Sequence, residues 1–497
     1  MSSEIQKLPL REKVGYGFGD LASCLFWQTI TFYLFFFYTD VFGLAAAAAG
    51  TMIAVSRVLD AFFDVGIGIM ADRTNTRWGK FRPYLLWIAV PLAVSAVLAF
   101  TVPSFGGVAK IIYAYVTFIL FMFMYSAINI PYTALLGVIS GDPVERADAA
   151  TSKFIGAYAA GIIVSAVVLP LVTHFGRDNP AKGWQMTLVV FGIAAVIFFL
   201  ITFLSTKERI QPIAKEKTSV KNDLKDLSKN VPWIFLFIVT ILFILFVCIR
   251  LTVTIHYFKY YVGEQVSPWL ASFFNFFLSI INPLIGLFGK QGIVLFEQTH
   301  KFGFDVLTSA FNTVGQVTSL LGLAIIPVVA RLLGRKKATI ILFIIALICT
   351  GSFYFFKPEN LPMIFIMQII GSVAGGPISA LLWLMYADTA DYSEWKTGRR
   401  ATGLVFSASI MSNKLGWAIG SMIAGLVLAT TGFVANVVQN IDVLNGLKAM
   451  MSVIPVGIGV VALIILMFFY KLDETTMKQV KAELEERRKA SGETAAV

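Results

Sequence analysis

Arg57, Asp60 and Asp64 stand three and four residues apart in "RVLDAFFD", inside a stretch otherwise apolar enough to be lipid-soluble helix. One charged side chain near a bilayer centre costs on the order of 3 kcal/mol even on insertion scales, so three together point to function. Residues four apart share a helix face, which sends Asp60 and Asp64 to one side with Arg57 beside them. At about 1.5 Å per residue from Asp72, Asp60 lies roughly 18 Å and Asp64 roughly 12 Å above the inner boundary, near mid-membrane. Two carboxylates aimed into a protein interior can hold Na⁺ through oxygen ligands, or one can hold a proton where burial beside a second negative charge disfavours ionisation. Either chemistry couples an ion gradient to other work. A buried Arg57–Asp60 pair locking helices together is the structural alternative, and it accounts for one acid better than two.

Lys414 is the only charged residue between Arg400 and Asp442. It stands about 14 residues, or roughly 21 Å, into its span, too deep to reach water by snorkelling. A lone buried ammonium needs a carboxylate partner. The spans carrying Lys414 and Asp60 are therefore expected to meet through charge. In "YSAINIPYTALL", Tyr125, Ser126 and Asn129 lie at comparable depth and offer neutral oxygen ligands, although Ser and Asn also glue membrane helices together. Asp20 closes "GYGFGD", whose glycines allow close approach of a helix or ligand. A carboxylate there can accept two hydrogen bonds from vicinal sugar hydroxyls. Trp27, Tyr33, Tyr125, Tyr132 and Trp383 are candidate aromatic platforms for a sugar ring. Arg250, about twenty residues past Lys229, is expected near the outer end of its span as a gate or a snorkelling residue. His174, His256 and His300 stand singly near outer segments, so neither a metal site nor a proton relay is expected; the cysteines Cys24, Cys248 and Cys349 read as packing residues. No nucleophile elbow, phosphate loop or nucleotide motif is present.

These residues need helices that cross a bilayer. Of 497 residues, 57% are hydrophobic and 14% charged, a membrane composition. Twelve apolar stretches long enough to span fall near 14–42, 46–71, 82–103, 111–138, 152–174, 185–205, 231–262, 304–331, 338–356, 361–387, 401–431 and 448–470. The expected fold is an all-α integral membrane protein, twelve transmembrane helices in two pseudo-symmetric six-helix bundles. The polar N-terminus runs straight into the first span, so no cleaved signal peptide is expected. The net charge of +11 sits in short loops, where it sets orientation rather than binding nucleic acid; it places both termini in the cytoplasm.

The expected units are an N-terminal bundle at 1–205, a basic linker at 206–230, a C-terminal bundle at 231–471 and a cytoplasmic tail at 472–497, read as a solvated helix. Charged loops recur after the second and fourth spans of each half, the internal symmetry of a transporter. An outer insertion at about 263–303 contains the apolar segment 269–289. If that segment crossed, the basic loops downstream would face outward, so it is expected to be an outer amphipathic helix or re-entrant hairpin, capping the cavity or lying at the interface, with Ser272, Asn275, Ser279 and Asn282 on one face.

"GYGFGD", "RVLDAFFD", "RWGKFRPY", "YSAINIPYTAL", "HYFKYYVG" and "ADTADYSEWKTGRRATGLVFSASIMSNKLG" together resemble the glycoside–pentoside–hexuronide:cation symporters of the major facilitator superfamily, over nearly the whole chain. The resemblance implies two six-helix bundles, alternating access, and Na⁺, Li⁺ or H⁺ cotransport with a sugar or glycoside. It also implies cation-site roles for Asp60 and Asp64, a helix-eleven lysine at Lys414 and a sugar-binding acid at Asp20. Lys153 stands where melibiose permease, a typical member, has an arginine paired with that acid, and lysine cannot make the planar fork. Asn129 replaces an aspartate shared by cation and sugar, and Phe63 a cation-site asparagine; Thr133 and Ser379 replace sugar-contacting tryptophans. A proton site needs one tuned acid where a Na⁺ cage needs several oxygens, so these changes favour H⁺ slightly.

The leading expectation is a non-enzymatic, cation-coupled importer of a sugar or glycoside in the cytoplasmic membrane. It would have H⁺ or Na⁺ as coupling ion, no cofactor, membrane lipids as its surroundings and a monomeric state. A lysolipid or other amphiphile is the second substrate class. A non-transporting sensor is a third reading, disfavoured by the intact acid pair.

Overall fold

The computed structural model describes residues 7–210, 227, 229–272, 275, 297, 300–397 and 402–490. Runs of Leu, Ile, Val, Phe and Ala this long satisfy their backbone polar groups away from water by forming helix. In chain order the helices are α1 Leu10–Phe36, α2 Ala46–Arg73, α3 Arg82–Trp87, α4 Ala89–Ala99, α5 Gly107–Ile139, α6 Pro143–Phe175, α7 Pro180–Ser205 and α8 Val231–His256. They continue with α9 Phe304–Leu323, α10 Ile326–Leu333, α11 Arg335–Ser352, α12 Leu361–Thr397, α13 Thr402–Thr430, α14 Ile441–Met451, α15 Val453–Ile464 and α16 Glu474–Ala490. Wider π-turns extend α1 over Phe37–Val41, α8 over Tyr257–Val262 and α15 over Ile465–Phe469.

Helix occupies each of the twelve stretches where a span was expected, but among the described residues eight helices are long and apolar enough to cross a membrane, or nine if one bent pair counts as a span. That pair, α9 and α10, bends by 50°. Prolines account for the interruptions. Pro91 follows the break between α3 and α4, Pro327 the bend after α9 and Pro455 the break between α14 and α15. A proline leaves the carbonyl four residues earlier without its helical donor and clashes with it. Pro131, Pro170 and Pro377 nevertheless sit inside continuous helices α5, α6 and α12. α11 is not among the eight, since it is only 18 residues long and opens on Arg335, Lys336 and Lys337.

α1 packs on α6 and α7, α2 on α5 and α13, α4 on α5 and α7, α8 on α13 and α15, and α12 on α9 and α11. Glycine allows close helix crossings. A Cβ on Gly156 of α6 would stand 2.3 Å from the carbonyl oxygen of Gly17 on α1, and one on Gly425 of α13 would stand 2.5 Å from that of Ala46 on α2. The second crossing sets the register of an antiparallel helix pair. Ten residues along α2 from Gly50, and eleven back along α13 from Gly425, Asp60 and Lys414 are carried to the same level, roughly 15 Å inward.

At the end of the bundle away from the chain termini a two-stranded ribbon, β1 Gln265–Val266 and β2 Lys301–Phe302, pairs Gln265 with Phe302 antiparallel. The apolar segment 269–289 lies almost wholly outside the described residues, as do Ser279, Asn282 and most of the 206–230 linker. The expected solvated tail is corrected in part. α16 buries Met477, Val480 and Leu484 on one face, and its Glu483 accepts a hydrogen bond from Trp395 Nε1 at 2.6 Å at the end of α12.

Candidate functional site

Lys414 lies against both acids of α2. Its Nζ donates to Asp60 Oδ2 at 2.7 Å and also to Asp64 Oδ2. Ser126 of α5 closes the other side, with Oγ 2.5 Å from Asp60 Oδ1 and 2.8 Å from Asp64 Oδ1. Two carboxylates, one ammonium and one hydroxyl therefore form a single cluster joining α2, α5 and α13. A hydroxyl has one hydrogen to give, so it can serve as full donor to one of its two acid contacts; the other is satisfied when that acid itself carries a proton. Asn129, one turn further along α5, makes no hydrogen bond to the described residues and does not enter the cluster.

Arg57 is buried, but it forms no ion pair with Asp60. Its guanidinium instead lies over the rings of Trp27 at 4.8 Å and Trp417 at 5.4 Å, and Trp27 stacks on Tyr125 at 5.4 Å. The expected pairing of helices by Arg57 thus runs through aromatic faces. Trp417 stands three residues from Lys414 and Arg57 three from Asp60, so the cation–π contact is the next rung of the same α2–α13 seam.

Asp20 on α1 faces Lys153 on α6, with Nζ 3.8 Å from Oδ1. Lys153 also reaches Thr133 Oγ1 at 3.5 Å and lies 5.4 Å from the Tyr132 ring centre. Tyr132 stacks on Tyr16 at 4.7 Å, and each hydroxyl donates to the other's carbonyl oxygen. Gly19 permits this, since a Cβ there would stand 2.4 Å from the Tyr132 ring. Trp383 is elsewhere, stacked on Phe406 at 5.9 Å. Tyr33 is fully buried and tilted against Trp184 at 5.8 Å.

A cavity of about 420 Å³ opens between α1, α6, α8, α9, α11 and α12. None of Asp20, Trp27, Tyr125, Asn129, Lys153 or Trp383 lines it. Its polar lining includes Gln28, Asn312, Gln316, Gln368 and Ser379, and among the described residues Arg250 is its one charged lining residue. Arg250 does not snorkel: its Nη1 donates to Thr350 Oγ1 at 3.2 Å and its Nη2 to Gln368 Oε1 at 3.4 Å, with Phe353 beneath it at 5.1 Å.

The C-terminal ends of α1 and α8 are latched together. The Asp40 carboxylate accepts from Thr39 Oγ1 at 2.7 Å, Lys259 Nζ at 2.8 Å and Tyr260 OH, and His256 Nε2 lies 3.0 Å from it. Asn436 Nδ2 donates to the Asp40 carbonyl at 2.8 Å. This cluster was missed in the sequence, where His256 stands singly and Asp40 reads as the end of a span. Thr313 also meets Ser165 at 3.1 Å and Thr173 meets Asp305 at 3.1 Å.

A model of the MFS/sugar transport protein family matches residues 15–294 and 271–474. The chain belongs to this family. It is 36% identical to the isoprimeverose transporter of Lactiplantibacillus pentosus, over 97% of this chain and 92% of the relative. Identity to the putative glycoside/cation symporter YagG of Escherichia coli is 33%, over 98% and 97%. Identity to the glucuronide carrier protein homolog of Escherichia coli is 29%, over 97% of each chain. The resemblance to glycoside–pentoside–hexuronide:cation symporters read from the motifs therefore holds. Among solved structures, the nucleoside transporter NupG superposes with a TM-score of 0.60 at 15% identity, covering 93% of this chain and all 100% of that one. A bacterial homologue of the human lysosomal transporter Spinster, inward-facing and unoccupied, superposes at 0.62 and 15% identity, covering 95% and 97%. At such identities these neighbours show the fold alone, and that fold is the major facilitator fold of a multi-pass membrane protein.

Proposed function

We propose that this family member is a symporter that couples entry of a cation to uptake of a sugar or glycoside across the cytoplasmic membrane, with both termini inside. The observation that carries the reading is Lys414 bridging Asp60 and Asp64 across the two halves. A cation arriving at the acids competes directly with the ammonium that joins α13 to α2, so ion binding loosens the seam about which the halves rock. The relatives' names supply the substrate class, and they favour sugars over a lysolipid or a sensor role.

The bundles at 1–205 and 231–471 are the rocking units in this reading, and the monomer suffices as the working unit. Asp20 with Lys153, outside the cavity's lining, is a second candidate sugar contact. H⁺ is the favoured ion, supported by the single Ser126 hydrogen serving two carboxylate oxygens and by Asn129 remaining outside the cluster. The test is uptake into proteoliposomes of a panel of glycosides, pentosides and hexuronides under imposed H⁺ or Na⁺ gradients. Accumulation driven by a proton gradient supports the reading as stated, and accumulation driven by Na⁺ replaces the ion. Uptake indifferent to both gradients overturns it.

A further inference from the structure

A second cavity, of about 720 Å³, lies beside the Asp40 cluster, on the outer face in the orientation proposed above. Its size falls within the ~300–1,000 Å³ of small-molecule pockets, and the transport cycle as proposed makes no use of it. One wall belongs to the N-terminal half, through α1, α6 and α7, and the other to the C-terminal half, through Lys259, α9 and Asn436. Three contacts between the halves have both partners in this lining. Lys259 Nζ donates to Asp40 Oδ1 at 2.8 Å, Asn436 Nδ2 to the Asp40 carbonyl at 2.8 Å and Thr173 Oγ1 to Asp305 Oδ2 at 3.1 Å. The cavity therefore exists only while these contacts are made. An occupant touching both walls binds the latched form and not the open one, and a ligand with that preference shifts the population toward the latched form.

The lining also states what kind of occupant fits. Its charged residues are two acids, Asp40 and Asp305, and two bases, Arg177 and Lys259, and this balance favours a ligand without net charge. A phosphate, as in a lipid headgroup, would need the excess of bases that the balance denies. Arg177 is exposed and forms no ion pair among the described residues, so its guanidinium is open to a hydroxyl. Asn179 spends its Oδ1 capping α7, accepting from the Lys182 N–H at 3.3 Å, which leaves its amide N–H groups to donate. The rings of Phe36, Trp184 and Phe304 line the same space. Aromatic surface beside hydrogen-bonding groups of both kinds suits a sugar, which presents apolar C–H faces together with hydroxyls that donate and accept.

We propose that this cavity is a regulatory site for a neutral sugar, separate from the transport path, and that a sugar bound there holds the two halves closed at the Asp40 end. Abundant external sugar would then limit its own uptake. That consequence rests on the symporter reading; the binding and the closure do not.

The test reads closure directly and needs no ion gradient. Full-length protein carrying Ser165→Cys, with Cys24, Cys248 and Cys349 replaced, is labelled in proteoliposomes by a membrane-impermeant thiol reagent while maltose, cellobiose, sucrose or trehalose is added outside. Thr313 donates to Ser165 across the halves and Ser165 is buried while they are closed, so labelling follows the open fraction. At saturation at least one sugar should slow labelling threefold or more. Ala181→Trp, which puts an indole into the cavity, should abolish the slowing, each variant being compared with its own rate without sugar. Arg177→Ala, at an exposed position, should raise the half-maximal sugar concentration about tenfold, the worth of one hydrogen bond to a charged group. No slowing by any of the four sugars, faster labelling, or slowing that neither substitution weakens overturns the proposal. Slowing caused by phosphatidylethanolamine in the vesicles and lost in Ala181→Trp overturns it in favour of a lipid headgroup. Loss of gradient-driven uptake with sugar-slowed labelling intact would overturn symport instead.

Discussion

Two clusters join the halves of the molecule through acidic residues of the N-terminal half and basic residues of the C-terminal half, and they are built differently. At the outer end Asp40 is closed off, its side chain 0% exposed, and Thr39, His256, Lys259 and Tyr260 compete for its two oxygens. At mid-membrane the side chains of Lys414 and Asp64 are 19% and 24% exposed, and one Ser126 hydroxyl serves two acids. An over-satisfied buried carboxylate resists change of protonation or partner, because removing any neighbour leaves others in place while the group stays desolvated. An under-satisfied one reached by water exchanges ligands readily. The outer cluster is suited to hold a conformation and the inner one to read an ion.

If that division is right, the largest effect belongs to the acids of the exchanging cluster. Asp64→Asn should lower gradient-driven accumulation in proteoliposomes at least tenfold while substrate exchange in the absence of a gradient persists. An Asp64→Asn protein that concentrates substrate normally would make the cluster a second structural clamp and erase the contrast. Next in size comes the Gly50–Gly425 crossing. Gly425→Val must push α2 and α13 apart, since even a Cβ would stand 2.5 Å from the Ala46 carbonyl oxygen. Overpacking of this kind costs about 1–3 kcal/mol. A melting temperature several degrees lower, with accumulation reduced more than exchange, is expected; unaltered coupling would show that Lys414 finds its acids without that register.

Breaking the latch should have a smaller effect on total transport. Asp40→Asn removes the charge facing Lys259 and His256 and should shift the population toward outward-open forms. The measurement is labelling of Ser165→Cys by a membrane-impermeant thiol reagent from outside, in a chain whose native Cys24, Cys248 and Cys349 are replaced. Ser165 sits where α6 meets Thr313 across the halves. A several-fold faster labelling in the Asp40→Asn background is expected, and an unchanged rate would remove the latch from the gating account.

The two clusters also differ in how far the sequence discloses them. Asp60, Asp64 and Lys414 interrupt apolar runs, so their energetic cost is visible residue by residue, and the depth count alone brings Lys414 level with Asp60. Asp40 and His256 lie at the ends of spans, where an acid or a histidine is inexpensive and says nothing; their pairing exists only once α1 and α8 are packed. The cavity beside Arg250 was hidden for the same reason, since a depth count cannot see which helices pack around a residue. The helices themselves were legible from hydropathy. Their interruptions were not, because Pro91, Pro327 and Pro455 accompany breaks while Pro131, Pro170 and Pro377 do not. The tail's stripe at Met477, Val480 and Leu484 was present but submerged in charge.

Ser126 gives the finest test of the contrast. Ser126→Ala removes one hydroxyl and neither acid, so the Asp60–Asp64–Lys414 bridge remains. A hydrogen bond to a charged group contributes about 1.5–3 kcal/mol, but the hydroxyl has a single hydrogen to divide between two acids and water can enter beside Asp64. The expected change is therefore at the low end, roughly a three- to tenfold shift in the ion concentration giving half-maximal uptake, with the maximal rate nearly kept. The direction distinguishes the ions. Where the ion is H⁺, losing a donor to the carboxylate disfavours its ionised form, so half-maximal uptake moves to higher pH. Where the ion is Na⁺, a missing oxygen ligand weakens the site, and half-maximal uptake moves to higher Na⁺. The same substitution thus strengthens a proton site and weakens a sodium one, and its sign reads the chemistry of the cluster without disturbing the seam that holds it.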